Sequence, residues 1–314
     1  MNPRLLPWLR CGDCGATLER REEGHLTCVA CGRRFEIADG VPRFTRRASP
    51  TARSFGYMWG SHAASVEPMR SASPYHLQLM RDRLDAPPCA GLILDAGCGD
   101  GMDLAMLALD PACEVVGVEL SGGGVATSLA RTDGNNRAHV IQADLLTLPL
   151  ASGIFDGAYS YGVVHHTPDP RRAVREIART LKQGASLFLY VYEDFSDRSW
   201  TWRALLRVVN LARSVTTRLP APALMTACRV LSPVVYGLCT LPARRFRWAS
   251  RFPYRHNEHA WSLSGDLYDR LSAPIEKRYS EETAAALARD AGLDVVRAVQ
   301  CRGWIVWGRK PGLP

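Results

Sequence analysis

The feature that most constrains this chain is one run, Leu92-Ile-Leu-Asp-Ala-Gly-Cys-Gly-Asp-Gly101. Leu92, Ile93 and Leu94 read as a buried strand that ends on Asp95, with glycines following at 97, 99 and 101. Alternate glycines let the backbone turn sharply and approach a ligand with no Cβ in the way. The helix expected next offers unpaired N–H groups to a polar or anionic ligand group. A dinucleotide fingerprint would need GxGxxG, and position 102 is Met, so the spacing argues against NAD or FAD. Taken alone, the loop could also be a tight structural turn.

Two acids further along sharpen the reading. Val115-Val-Gly-Val-Glu119 ends a second apolar run on a carboxylate, eighteen residues past Gly101. A carboxylate there can accept from both hydroxyls of a ribose. Gln142-Ala-Asp144 ends a third run with another acid, placed to accept from an adenine amino group. Each acid alone could be a strand-end helix cap. Together they follow three successive strands, at 92–96, 115–119 and 138–142, with further strands expected at 156–161 and 186–192. A helical pattern at 170–181 carries Ala173, Val174, Ile177, Ala178 and Leu181 on one face. Alternation of this kind predicts an α/β fold with a mostly parallel sheet covered on both faces.

LDAGCGDG, followed by VVGVELS, QADLLTLP, FDGAYSYGVVHHTPDP and LKQGASLFLYVY, resembles the class I S-adenosylmethionine (SAM)-dependent methyltransferases. The likeness is strong over 90–194 and weaker over 279–310. It implies a Rossmann-like seven-stranded sheet whose last strand is antiparallel, with SAM across the carboxyl ends of the strands. It further implies that Gly97 and Gly99 contact the amino-acid moiety, Glu119 the ribose, Asp144 the adenine edge and Leu145 the ring. Asp95 would hold the loop, Gly101 and Leu120 would complete the cofactor set, and carbonyls around Ser160 and Tyr161 would receive the ammonium.

Before this core lie two CxxC pairs, Cys11/Cys14 and Cys28/Cys31, separated by thirteen residues. Tight pairs on turns present four thiolates to a closed tetrahedral site, the arrangement of structural Zn²⁺. A redox dithiol is the rival, but its usual βαβ context is missing. Residues 1–47 are therefore expected to form a small zinc ribbon with strands at 26–28 and 34–37 and a turn at Asp39-Gly40. The segment from Arg34 to Phe44, which runs into a DGxP turn, resembles the zinc ribbons of methyltransferase activator subunits. The Ser/Pro/Thr/Arg stretch 48–54 reads as a linker, and 55–88 as a helical lead-in, so that 48–90 joins ribbon to the SAM-binding core at 91–194.

Methyl transfer from a sulfonium needs a positioned nucleophile and sometimes a base. His165 and His166 follow the fourth core strand and are candidate general bases, though such a pair also commonly packs and bonds its own loop. Tyr192 and Glu193 end the fifth strand as further candidates. The segment Phe55-Gly-Tyr-Met-Trp59 reads equally as a cover for the cofactor pocket or as a packing clasp. An Asn/Asp-Pro-Pro-aromatic loop is missing after the fourth strand, which counts against methylation of exocyclic nucleobase amines.

Residues 195–275 break the strand–helix rhythm and are expected to form a helical insertion after the fifth strand that roofs the substrate. Leu205, Val208, Val209 and Ala212 line one face of its first helix, and Arg203, Arg207 and Asn210 another. Between Arg198 and Arg255 stand eleven arginines and no Lys, Asp or Glu, while the rest of the chain holds 28 basic and 31 acidic residues. The formal charge of +8 is thus local. Such a stretch attracts phosphate-bearing or amphiphilic small molecules, anionic headgroups or, less favoured, RNA. It could also be a plain basic surface, since the chain has only three lysines. The pattern resumes at 276–314, with a helix start at Ser280, a stop at Gly292 and two closing strands. The first ten residues lack a secretory signal's apolar run, and the apolar stretch 221–243 is broken by Arg229 and three prolines, so no spanning helix is expected. With six of ten cysteines scattered, a reducing cytoplasm is the expected setting. Oligomeric state is left open.

Overall fold

The computed structural model describes residues 1–45, 49–63, 76–246, 259–260 and 263–312. Arg247, Arg251, Arg255, Trp248, Phe252 and Tyr254 of the insertion lie outside these residues. The chain divides into two compact units, 1–196 with 275–314, and 197–274.

The first unit opens with an antiparallel meander of β1 (Leu18–Glu22), β2 (His25–Cys28), β3 (Arg34–Ala38) and β4 (Val41–Arg43). Asp39 and Gly40, at φ 53° and 77°, form the expected β3–β4 turn. Helices α1 (Pro50–Ala63) and α2 (His76–Leu84) follow. Most of the expected linker, 50–54 of 48–54, is therefore helix. Pro50 fits the first helical turn, where its missing N–H is no loss, and Ser49 Oγ accepts from the Ala52 N–H at 3.0 Å.

The alternating part runs β5 (Gly91–Ala96), α3 (Met102–Leu107), β6 (Cys113–Glu119), α4 (Gly122–Thr132), β7 (Ala138–Gln142), β8 (Phe155–Tyr161), α5 (Pro170–Thr180) and β9 (Leu181–Val191). Asp169 caps α5 by accepting from the Arg172 N–H at 3.0 Å, with Pro170 in the first turn.

All in one sheet, the strands lie in the order β1-β2-β3-β4-β7-β6-β5-β8-β9-β11-β10. The last seven in that order are the expected core, and β11 is antiparallel to both neighbours. The expectation of seven strands falls short because β4 pairs in parallel with β7 at Arg43–Gln142 and brings the meander into the same sheet. This pairing covers an edge that would otherwise present unpaired N–H and C=O groups. Leu5, Leu9, Leu18, Leu26 and Phe35 of the ribbon share one buried cluster with Leu148 and Leu150 of the core.

Successive strand residues serve opposite faces of the sheet. Leu94, Val116 and Ile141 join the face covered by Ala173, Val174 and Ile177 of α5. Ile93, Val115 and Val140 join the face covered by Leu77, Met80 and Leu84 of α2. After 274 the unit resumes with the helix at Glu281–Arg289, whose Ser280–Thr283 capping box matches the expected start, and the hairpin β10 (Asp294–Gln300) and β11 (Trp304–Arg309).

The second unit is helical: α6 (Trp200–Thr216), α7 (Ala221–Val235), a π-turn at Tyr236–Thr240, α8 (Leu241–Arg245) and α9 (Leu263–Ser272), which makes the helix of 281–289 α10. Leu224, Met225 and Cys228 of α7 are buried, as are Leu263 and Tyr268 of α9, against which α7 packs. Arg213 and Thr216 of α6 donate to the carbonyls of Ala273 and Leu271 at 2.8 and 2.7 Å. Of the residues expected to share an apolar face on α6, Val209 is half-buried, whereas Leu205, Val208 and Ala212 are exposed. The continuous run Ala221–Arg245 is long and apolar enough, by length and composition, to cross a membrane. Arg229 and the prolines interrupt its chemistry without ending the helical run, and length and composition alone do not make it a span.

Candidate functional site

Strand order reverses on either side of β5, which has β6 on one flank and β8 on the other. A crevice opens at the carboxyl ends of the strands at such a switch point. The sequence places its glycine loop there. Gly97, Gly99 and Gly101 have φ of 97°, 55° and 77°. A Cβ at Gly101 would lie 2.6 Å from the Ser128 backbone, and one at Gly99 would lie 3.1 Å from the Trp59 ring. Gly101→Ala is expected to destabilise the fold by about 1–3 kcal/mol, through left-handed backbone strain and a collision with α4. Thermal melting of the variant checks this, and an unchanged midpoint would show that the loop relaxes freely.

Glu119 ends β6 beside this loop. Its Oε2 accepts from the Gly99 N–H at 3.2 Å, and Oε1 accepts from the Ser121 N–H and hydroxyl at 2.8 and 2.6 Å. Burial raises the Glu119 carboxyl above its ordinary value, although these three donors pull the other way. Asp95 is also buried, and burial together with the charge of Asp103 pushes its carboxyl well above the usual range. Asp144 caps the turn Leu145–Thr147 by accepting from the Leu146 N–H at 2.9 Å, so the capping role weighed for it is real. Leu145 is buried and Leu120 gives its carbonyl to Gln142 at 3.1 Å. Ser160 is buried at the end of β8, its hydroxyl donating to the Ala96 carbonyl at 2.8 Å. Tyr161 stacks between His76 and Tyr190, with ring centroids 3.9 and 4.4 Å away.

A second group gathers His165, His166 and Tyr192. The His165 ring lies 4.2 Å from both His166 and Tyr192. His166 Nδ1 bonds the Ile275 carbonyl at 2.7 Å, and its ring is 5.1 Å from Phe55. The Arg278 guanidinium lies over Tyr192 at 5.5 Å. Glu193 is buried and accepts from Gln300 at 2.9 Å, which gives it a structural task. Through α1, Phe55 thus reaches the histidine pair while Trp59 reaches the glycine loop.

His76 and Asp103 were not singled out by the sequence. His76 Nδ1 meets Asp103 at 2.7 Å. Burial opposes the charged imidazole, yet the Asp103 carboxylate outweighs it and raises the His76 pKa. The two residues are 27 positions apart, in the lead-in and in α3, and no local pattern joins them.

In the ribbon, the four sulfur atoms of Cys11, Cys14, Cys28 and Cys31 all lie within 4.8 Å of one another. The Cys11–Cys31, Cys14–Cys28 and Cys14–Cys31 separations are 3.8, 3.4 and 3.6 Å. A tetrahedral ion with bonds of about 2.3 Å to sulfur sets edges of roughly 3.8 Å, so the cluster fits zinc. The Cys31 N–H, pointing at Cys28 sulfur from 3.5 Å, is the largest influence lowering the Cys28 thiol to about 6.

Residues 94–189 match the profile of the methyltransferase domain family. Methyltransferase GfsG of Streptomyces halstedii is 31% identical over 134 residues, 42% of this chain and 48% of its own. The 24-methylenesterol C-methyltransferase 2 of Oryza sativa subsp. japonica is 32% identical over 164 residues, 49% of this chain and 43% of its own. A chain from the complex between the Haloferax volcanii Trm112 methyltransferase activator and a methyltransferase superposes with a TM-score of 0.50 at 15% identity. That superposition covers 84% of this chain and 99% of the other. The chain spans between a quarter and a half of the length of the first curated relatives it matches. Over residues 94–189 the chain is thus similar to methyltransferase domains, and the sheet that carries this segment has the Rossmann-like α/β fold of such domains.

Proposed function

We propose that this chain transfers a methyl group from SAM to a small-molecule or lipid-like acceptor, anionic ones included. The observation that carries this is the convergence of the glycine loop, Glu119 and Asp144 at the carboxyl ends of β5, β6 and β7. When bound, SAM supplies an electrophilic methyl on a sulfonium sulfur. Gly97 and Gly99 take the amino-acid moiety, with Gly101 closing the turn. Glu119 accepts from the ribose hydroxyls beside Leu120, and Asp144 and Leu145 meet the adenine. Asp95 holds the loop, and the carbonyls at Ser160 and Tyr161 receive the ammonium. Trp59 and Phe55 exclude water from above.

Where the acceptor must lose a proton, His166 is better suited than His165. Donation from His166 Nδ1 to the Ile275 carbonyl leaves the lone pair on Nε2. Tyr192 and His165 orient that ring by packing. Zinc at the four cysteines is structural, since all four tetrahedral positions are filled by protein.

An RNA acceptor is the second reading, carried by the acid-free run of arginines. Full-length protein with methyl-labelled SAM is expected to label a small-molecule or lipid fraction and not RNA. Label in RNA, with binding that falls steeply with salt, would favour the second reading. Failure to bind SAM or S-adenosylhomocysteine at all would leave a non-catalytic scaffold.

A further inference from the structure

We infer that the helical unit 197–274 docks on a lipid bilayer, lying in the interface of an anionic membrane. Twelve of the sixteen large apolar residues exposed among the described residues fall between 200 and 246. They are ordered by helix geometry. On α6, Leu205, Val208, Ala212 and Val215 recur at three- and four-residue steps along one exposed stripe, with Leu211 beside it. Leu205, Val208, Leu211 and Val215 are 48%, 63%, 72% and 61% exposed. This stripe is not the face α6 packs inside its unit, where Trp202, Leu206, Val209 and Thr216 are half-buried. The helix α7 repeats the design. Leu224, Met225, Cys228 and Ser232 are buried, while Val230, Leu231 and Val234 stand out on another side at 70%, 49% and 56% exposure.

Exposed apolar stripes of this kind mark an interaction site. Charge identifies the occupant. Arg203 and Arg207, with Asn210 and Ser214, line the other exposed face of α6, the two faces meeting at Leu211, and no acid occurs from 198 to 255. The acids of the unit are Asp197 and Glu258, plus Asp266 and Asp269 on α9, the helix behind α6 and α7. An exposed apolar face paired with a polar face that carries guanidinium groups is the pattern of helices lying in the plane of an anionic membrane surface. Crossing the bilayer fits less well, because Arg229 interrupts the run Ala221–Arg245 and Arg244 and Arg245 end it.

The inference stands independently of methyl transfer, and its test reads partitioning and not turnover. Full-length protein is mixed with vesicles of phosphatidylcholine alone, or with about one third phosphatidylglycerol, and pelleted. It should pellet with the anionic vesicles, more weakly with neutral ones, and less as salt rises. The variant Val208→Gln/Leu211→Gln/Val230→Gln/Val234→Gln should lose on the order of a hundredfold in partition coefficient. Arg203→Gln/Arg207→Gln should lose roughly tenfold, on anionic vesicles only. Both variants alter exposed side chains, so their circular-dichroism melting should match the parent. No pelleting with either vesicle would overturn the inference, as would undiminished pelleting of the apolar variant. A dimer that the apolar variant dissolves, without vesicle binding, would assign the stripes to a second copy of the chain. Salt-sensitive RNA binding without vesicle binding would assign the arginines to RNA.

Discussion

Glu119→Ala is expected to weaken the binding of SAM and S-adenosylhomocysteine by roughly ten- to a hundredfold, the equivalent of about 1.5–3 kcal/mol for a lost charge-assisted hydrogen bond. The same carboxylate also holds the Gly99 N–H and the Ser121 N–H and hydroxyl, so the substitution unhooks the loop as well as removing the proposed ribose acceptor. Glu119→Gln keeps shape and one acceptor oxygen, and should fall between wild type and alanine. Acidity separates the two roles. Burial raises the Glu119 carboxyl, so the folded protein takes up a proton at higher pH than the unfolded chain does. The raised pKa therefore stabilises the free folded state at low pH, and that contribution is lost as pH rises through the folded pKa. Ligand affinity moves the other way, because a protonated carboxyl is a poorer acceptor for ribose hydroxyls. Calorimetry across acid pH should show affinity falling in the wild type and nearly level in Glu119→Gln. Equal affinity of wild type and Glu119→Ala would remove Glu119 from the cofactor site.

The parallel strands β5 to β9 were legible because each has buried residues on both faces and is closed by a glycine or an acid at or just past its end. Ile93 and Leu94, or Val115 and Val116, must both be apolar since they serve opposite faces of one sheet. The junction of ribbon and core was not legible. It rests on Arg43 and Gln142, 99 positions apart, whose side chains meet at 2.7 Å, and no local pattern foretells that meeting. Pro50 was read as linker because the sequence shows proline's intolerance of helix interiors more plainly than its fitness for a first turn. Periodicity grouped Leu205, Val208, Val209 and Ala212 on one face of α6, and of these Val209 turns to the packed side while the other three stay exposed. It could not say what that face meets, because an apolar stripe looks the same in sequence whether it is covered by protein or left exposed. Asp144 carries the opposite lesson, since an acid at a strand end can cap a turn with one oxygen and keep the other for a ligand.

Removing zinc is expected to have the largest effect on stability. Protein purified without chelators should hold about one zinc per chain, and the meander β1–β4 should lose hydrogen-exchange protection when it is stripped. In small zinc domains, binding of the ion contributes on the order of 10–16 kcal/mol of apparent free energy, and much of it is folding free energy. Here the ribbon also rests on Leu148 and Leu150, so stripping should loosen the meander without unfolding the parallel strands β5, β6 and β8. The disturbance should still reach the cofactor. Phe44 N–H donates to the Gln142 carbonyl at 2.8 Å, and the Gln142 amide in turn holds the Leu120 carbonyl beside Glu119. A moderate loss of S-adenosylhomocysteine affinity should therefore accompany the loss of β4, and Gln142→Ala should reproduce it with zinc in place. Cys28→Ser should mimic stripping, because it removes a buried sulfur that the Cys31 N–H addresses. Elemental analysis showing no zinc, in protein whose four thiols titrate as reduced, would reject the site. Full protection of β1–β4 after stripping would show that the shared apolar cluster alone holds the ribbon.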